Sequence, residues 1–261
     1  MTETVAPDFR DLPVRFSMLR AYGRSAAHGL LARSTDMKPT APMQLGTAVH
    51  AICFNTRKVV AYDGRRDKRI KEYQEFMAEN ADAEILTVAD YDRANRMAEA
   101  VMAAEYAKPF LGGYFETRLL FNWYGLDCRA TPDIRGLDYV CELKTTADAS
   151  PDRFPWHAKR MCYPEQLLFQ AIGCQLNGHN VTRHMIIAVE SAPPYPVTLC
   201  EVQPRALDRA AKMLALWVER LKVSEESGAW PGYSQAIVPI DIPDEDEDTA
   251  LIYAATAEEA V

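Results

Sequence analysis

Side chains alternate between apolar and polar along Tyr139 to Thr145, so that Val140, Glu142 and Lys144 share one face of an extended run and Tyr139, Cys141 and Leu143 share the other. Before it, residues 118–131 are rich in aromatic and apolar positions, with a turn available at Tyr124-Gly125, and Arg135-Gly136-Leu137-Asp138 supplies a second turn. Residues 127–146 therefore read as a β-hairpin, its first strand introduced by Phe115-Glu116-Thr117. A second hairpin is expected from 184–190 and 197–203 around the loop SAPPYP.

Helical periodicity covers much of the remainder. Ser17 and Ser25 are candidate N-caps of two short helices, and a polar loop follows over 33–42. An apolar helix over 43–54 aligns Gly46, His50 and Phe54 on one face. Helices are also expected over 68–79 and 88–107, the second opened by a capping-box variant, Thr87 with Asp90. Asp148-Ala149-Ser150-Pro151 reads as a helix start that Pro155 keeps short. A helix from Tyr163-Pro164-Glu165-Gln166 to about Leu176 stacks Gln166 and Gln170 and ends at Asn177-Gly178. The last, over 205–222, directs Leu207, Ala211, Leu214, Trp217 and Leu221 to one side. No internal repeat is visible.

At 261 residues the chain can form one well-cored domain. It has no apolar run of membrane-spanning length and no signal-peptide core, so a soluble, cytoplasmic protein is expected. Six scattered cysteines without a C-x-x-C pair argue against a disulfide framework, a zinc site or an iron–sulfur cluster. The net charge of −8 comes from residues 241–261, which hold eight acids and no Lys or Arg; without them acids and bases balance at 29 each. Local charge is thus more informative than the total. The one dense basic stretch, residues 57–71, contains Arg65, Arg66, Lys68 and Arg69, and fits either a solvated loop or a phosphate-contacting patch.

Candidate chemistry lies in Pro132-Asp133, eight further residues, and Glu142-Leu143-Lys144. A turn that brings Asp133 beside Glu142 would give two carboxylates and an ammonium at a strand end, a plausible site for a hard, oxygen-seeking cation such as Mg²⁺. The lysine would then orient or deprotonate an activated water. The same spacing is also met in a solvated edge strand carrying an ordinary Glu/Lys pair. His50, alone on an apolar helix, reads locally as a hydrogen-bonded core residue.

Taken in order, SMLRAYGRSAAH, LGTAVH, RRDKRIKEY, EILTVADYDRANRMAEAV, CRATPD, ELKTTADAS, YPEQ, AVESAPPYPV and WPGY resemble the PD-(D/E)xK nuclease superfamily, within it the phage and prophage RecE-type exonucleases (exodeoxyribonuclease VIII), relatives of RecB and lambda exonuclease. The resemblance implies an α/β, restriction-endonuclease-like core over 14–240, with a mixed, mainly antiparallel sheet flanked by helices. A flexible lead-in, 1–13, and an acidic, disordered tail, 241–261, would flank it. It implies that His50, Asp133, Glu142 and the Leu143 carbonyl hold Mg²⁺ (Mn²⁺ substituting), and that Lys144, Glu142 and Asp133, with Gln166 and Glu116, are catalytic. Arg65, Arg66, Lys68, Arg69 and Tyr163 would contact DNA. Thr131 stands where the family often has Arg, and Gln170 where its helix signature has Tyr. The implied activity is 5′ to 3′ degradation of linear double-stranded DNA in a bacterial host by a toroidal trimer or tetramer, leaving 3′ single strands for a RecT/beta-like annealing protein. The rivals are an endonuclease, a Cas4-like end-trimming nuclease, which the scattered cysteines disfavour, and a non-catalytic DNA-end-binding recombination scaffold, which would gain nothing from grouping these charges.

Overall fold

A computed structural model describes residues 12–35, 39–234 and 236–240; the expectations for residues 1–11 and for the acidic tail lie outside the described residues. In chain order the elements are β1 (Val14–Arg15), α1 (Phe16–Arg24), α2 (Ala26–Ser34), α3 (Ala41–Phe54), β2 (Val59–Tyr62), α4 (Lys71–Glu79), β3 (Glu84–Thr87) and α5 (Val88–Ala103). Next come β4 (Tyr114–Phe115), β5 (Leu119–Trp123), β6 (Leu126–Ala130), β7 (Ile134–Arg135), β8 (Tyr139–Thr146), α6 (Phe154–Met161), α7 (Tyr163–Leu176), β9 (Arg183–Glu190), β10 (Val197–Glu201) and α8 (Pro204–Ser227).

The fold is the mixed α/β arrangement that the sequence predicts. A five-stranded sheet runs β10-β9-β8-β7-β4, with three antiparallel pairings and one parallel pairing, between β8 and β9. Strands β8 and β9 are buried on both faces, which explains their nearly continuous apolar character. On one face Val140, Ile186 and Ala188 join a core with Leu167 and Phe169 of α7 and Leu214, Trp217 and Leu221 of α8. On the other, Tyr139, Cys141, Leu143, Met185 and Ile187 pack against Leu45 and Val49 of α3 and Met97 and Val101 of α5. The period-two reading of β8 thus separates two cores.

Several local expectations change. The expected hairpin over 127–146 is two hairpins in two sheets. β5 and β6 turn through Tyr124 and Gly125, both with positive φ (54° and 77°), and join β1 in a three-stranded sheet. β7 and β8 turn through residues 136–138 in the five-stranded sheet. β4 pairs with β7, so the segment at Phe115 opens that sheet and not the β5–β6 hairpin. β8 has neighbours on both sides and is not an edge. The basic segment contains β2, paired in parallel with β3, and neither strand was expected, because both are four residues long and largely half-buried.

Among the helix ends, Ser25 caps α2 by accepting from the His28 N–H, and Thr87 caps α5 by accepting from the Asp90 N–H. Ser17 is no cap: α1 begins at Phe16, directly after β1. α5 stops at Ala103, where an end at 107 was expected. α8 buries Ala210 in place of Ala211 and continues to Ser227.

His184 on β9 is 6% exposed, and neither ring nitrogen has a hydrogen-bond partner among the described residues. Burial depresses its pKa, with Glu201 opposing. A histidine held neutral in the fold but free to protonate when unfolded removes stability as pH drops below about 6.5, the unfolded value, toward the folded one. His184→Leu should therefore gain stability relative to wild type as pH falls from about 7.5 to 5.5 across that unfolded value, measured by denaturant unfolding. A stability difference independent of pH would contradict this.

Candidate active site

Strand β8 brings the candidate residues together because its two sides do different work. Glu142 points toward α7, 1% exposed, and four donors surround its carboxylate. Oε1 accepts from the Asp133 N–H at 3.2 Å and from Gln170 Nε2 at 2.6 Å. Oε2 accepts from Lys144 Nζ at 2.5 Å and from Gln166 Nε2 at 2.7 Å. An ionised carboxylate offers about four lone-pair directions, so a cation held by Glu142 would take the place of one of these donors. The one-turn spacing of Gln166 and Gln170 on α7 matches the two oxygens. Burial, and then the nearby Asp133 charge, push the Glu142 pKa up, while Lys144 and Gln170 pull it back.

Asp133 follows the buried Pro132 in the connection from β6 to β7. Its Oδ2 accepts from the Leu143 N–H at 2.9 Å, and its Oδ1 lies 3.5 Å from His50 Nδ1. His50 Nε2 is 2.8 Å from the Leu143 carbonyl, which can only accept, so that nitrogen carries the proton. Gly46, one turn earlier on α3, permits the close approach: a Cβ there would stand 3.3 Å from Thr145 Oγ1. Burial opposes charge on both His50 and Asp133, yet their mutual attraction prevails, raising the histidine pKa and lowering that of the aspartate. For Lys144, burial is outweighed by Glu142 and Asp133, and its pKa is raised. Its Nζ donates to Glu142 and Gln166, which places the ammonium to donate and orient.

Tyr163 is buried beside the lysine, with Lys144 Nζ 5.0 Å from its ring centroid and its hydroxyl 3.4 Å from His157 Nε2. Glu116 has an exposed side chain and a positive φ of 46°, and its N–H donates to the Asp133 carbonyl at 3.1 Å. It touches the centre through backbone. Arg65 and Arg69 both pair with Asp67, at 3.6 and 2.7 Å, Arg66 donates to the Ile85 carbonyl at 2.8 Å, and Lys68 is exposed. Much of the basic run is thus engaged in holding its own loop. Gln170, which the sequence stacks with Gln166 as a candidate substrate contact but does not place among the catalytic residues, instead holds Glu142. A cavity of about 570 Å³ lies elsewhere, lined by Phe154, Glu165, Val202 and Arg209 among others, and holds none of these groups.

Among the described residues no three His, Cys, Asp or Glu side chains are already spaced as a metal cage. The donor chemistry nevertheless suits a hard cation. The Asp133 carboxylate and the Leu143 carbonyl both face the His50 ring. Carboxylate and carbonyl oxygens are the ligands such cations take.

A mixed sheet with one acid just before a short strand and a second acid and a lysine two residues apart on the next strand is the arrangement of the PD-(D/E)xK class. The family model described as a PDDEXK-like domain of unknown function (DUF3799) matches residues 15–240, and the chain belongs to that family. A solved structure from Eubacterium rectale, described as "Putative exonuclease", is similar in fold, with a TM-score of 0.65, 12% identity, and coverage of 93% of this chain and 97% of that one. None of the curated proteins matches the chain in sequence.

The Glu142–Lys144 pair sets an expectation for stability. Lys144→Met would leave Glu142 buried beside Asp133 without its cation, at a cost of about 3–5 kcal/mol. The Glu142→Gln/Lys144→Met double variant should recover much of that loss, because no uncompensated charge remains. Denaturant unfolding of the four proteins checks this; additive losses would contradict it.

Proposed function

We propose that the protein is a Mg²⁺-dependent deoxyribonuclease that degrades linear double-stranded DNA from its ends, with Mn²⁺ able to substitute. The observation that carries this reading is the convergence of His50, Asp133, Glu142, the Leu143 carbonyl and Lys144 around the middle of β8. Asp133, Glu142 and the Leu143 carbonyl, with His50, would hold the cation, which when bound supplies positive charge against the scissile phosphate and a more acidic water. The residues of the chain do the rest. Lys144, kept charged, donates to the attacking water or to a phosphate oxygen and fixes its approach. Gln166 links Lys144 to Glu142, donating to the carboxylate at 2.7 Å and lying 3.3 Å from Nζ through its oxygen, so it holds the ammonium in place. Gln170 holds the other Glu142 oxygen and fixes the plane of the carboxylate.

The finer parts of this reading are a 5′ to 3′ direction, a 3′ strand delivered to an annealing protein, a toroidal trimer or tetramer, and work in the cytoplasm of a bacterial host for a phage or prophage. They rest on the likeness to RecE-type exonucleases in the motifs around Asp133, Glu142 and Gln166. No helix among the described residues is long and apolar enough to cross a membrane.

The test is digestion of linear and covalently closed circular duplex of one sequence. Linear DNA should disappear in Mg²⁺ and persist in chelator, while the circle survives. Glu142→Gln and Lys144→Met should each lose more than about 10²-fold in rate, the scale of removing a group that meets developing charge. Cutting of both topologies at equal rates would point to an endonuclease. Undiminished cutting by Glu142→Gln would remove the assigned centre.

A further inference from the structure

Three arginines gather on the outer face of the β1-β6-β5 sheet, away from the buried network. Across the parallel β1–β6 ladder Arg15 is paired with Arg129, while the preceding pair, Val14 and Cys128, is buried on the inner face. Neighbouring strands lie about 4.8 Å apart, so these two guanidinium stems start side by side. Arg118 immediately precedes β5, where Leu119 is buried opposite Ala130; Arg118 is exposed and stands next to the same row. None of the three has an ion pair or a hydrogen bond to its side chain among the described residues. Asp127, exposed two positions along β6, receives the Asn122 amide at 3.2 Å. After burial, the charges of Arg15 and Arg118 are what depress the pKa of Arg129.

Like charges directly opposite one another destabilise a sheet. Here short stretches of chain tie the repelling row to the carboxylate centre. Three residues lie between Arg129 and Asp133, a span of at most about 14 Å when extended. Arg118 is two residues from Glu116, whose N–H is bonded to the Asp133 carbonyl at 3.1 Å. Leu120, paired with Arg129 across β5–β6 and 55% exposed, gives the row an apolar surface as well.

We propose that Arg15, Arg118 and Arg129 form a phosphate-binding row that grips the DNA backbone immediately beyond the scissile phosphate. The proposal rests on the nuclease reading above. Guanidinium groups suit phosphates because their paired N–H donors match two oxygens. The bases at 65–69, by contrast, include Arg65, Arg66 and Arg69, which already have protein partners.

The experiment compares wild type with the Arg15→Gln/Arg118→Gln/Arg129→Gln variant. Each is titrated with a fluorescent 20-base-pair duplex in chelator, so that binding is read without cleavage, over a series of salt concentrations and with added inorganic phosphate as a competitor. The log–log salt slope should fall by about 0.9 for each duplex phosphate no longer neutralised, or about 0.7 for each single-strand phosphate. Millimolar phosphate should compete only weakly if the row recognises a polymer. Relief of repulsion should leave the melting temperature of the variant equal to or above that of wild type, whereas a structural role would lower it. A triple variant that keeps the wild-type slope, or whose weakened binding follows a lowered melting temperature, overturns the phosphate row alone. Wild-type protein that binds no duplex at any salt overturns the row, while the nuclease reading stands or falls separately on the digestion test above.

Discussion

A carboxylate buried in the middle of a sheet must find donors, and Glu142 finds four of them from three separate parts of the chain. That constraint organises the surrounding structure. The two glutamines fix the rotation of α7 about its axis. The Asp133 N–H fixes the path by which β6 passes into β7, and so brings a second carboxylate beside the first. Lys144 supplies the charge that makes the arrangement tolerable, because removal of one member of a buried pair leaves a cost that packing cannot offset. At Leu143, whose side chain is in the apolar core, the backbone N–H donates to Asp133 and the carbonyl accepts from His50. One strand therefore holds two cores apart and joins two halves of a polar site.

How far this was legible in the sequence depended on whether a residue's partner was local. The alternation in β8, the start of α7 at Tyr163 and its end before Asn177-Gly178, and the caps Ser25 and Thr87 are short-range signals, and all appear where they were expected. The assignment of the two hairpins to different sheets depends on β1 and β9, which are distant in sequence, and the local pattern carried no trace of it. The interior position of β8 was obscured for a related reason. Glu142 and Lys144 look like solvent-facing residues until Gln166 and Gln170, more than twenty positions away, are seen to cover them. His50 was ordinary in its own helix, and only the resemblance to a family singled it out. Its hydrogen bond to the Leu143 carbonyl spans 93 residues.

The two basic regions illustrate the same point about charge. Residues 57–71 stand out because their bases are consecutive, yet Arg65, Arg66 and Arg69 are engaged within their own loop and with β3. Arg15, Arg118 and Arg129 are scattered through the sequence and converge only when three strands pair. Density along the chain and density in space are different quantities, and a polyanion responds to the second. Membership of the PDDEXK-like family accounts for the sheet and its acidic pair. What is held against that pair depends on the surfaces next to it.

Direct measurement of divalent-ion binding bears most closely on the claim that Asp133, Glu142, the Leu143 carbonyl and His50 form one hard-cation centre. Mn²⁺ titration of the protein alone, followed by electron paramagnetic resonance, should show saturable binding with coupling to an imidazole nitrogen. Asp133→Asn should abolish the saturable site, and His50→Gln should remove the nitrogen coupling. Absence of saturable binding in wild type, or a site that survives Asp133→Asn unchanged, would contradict the account.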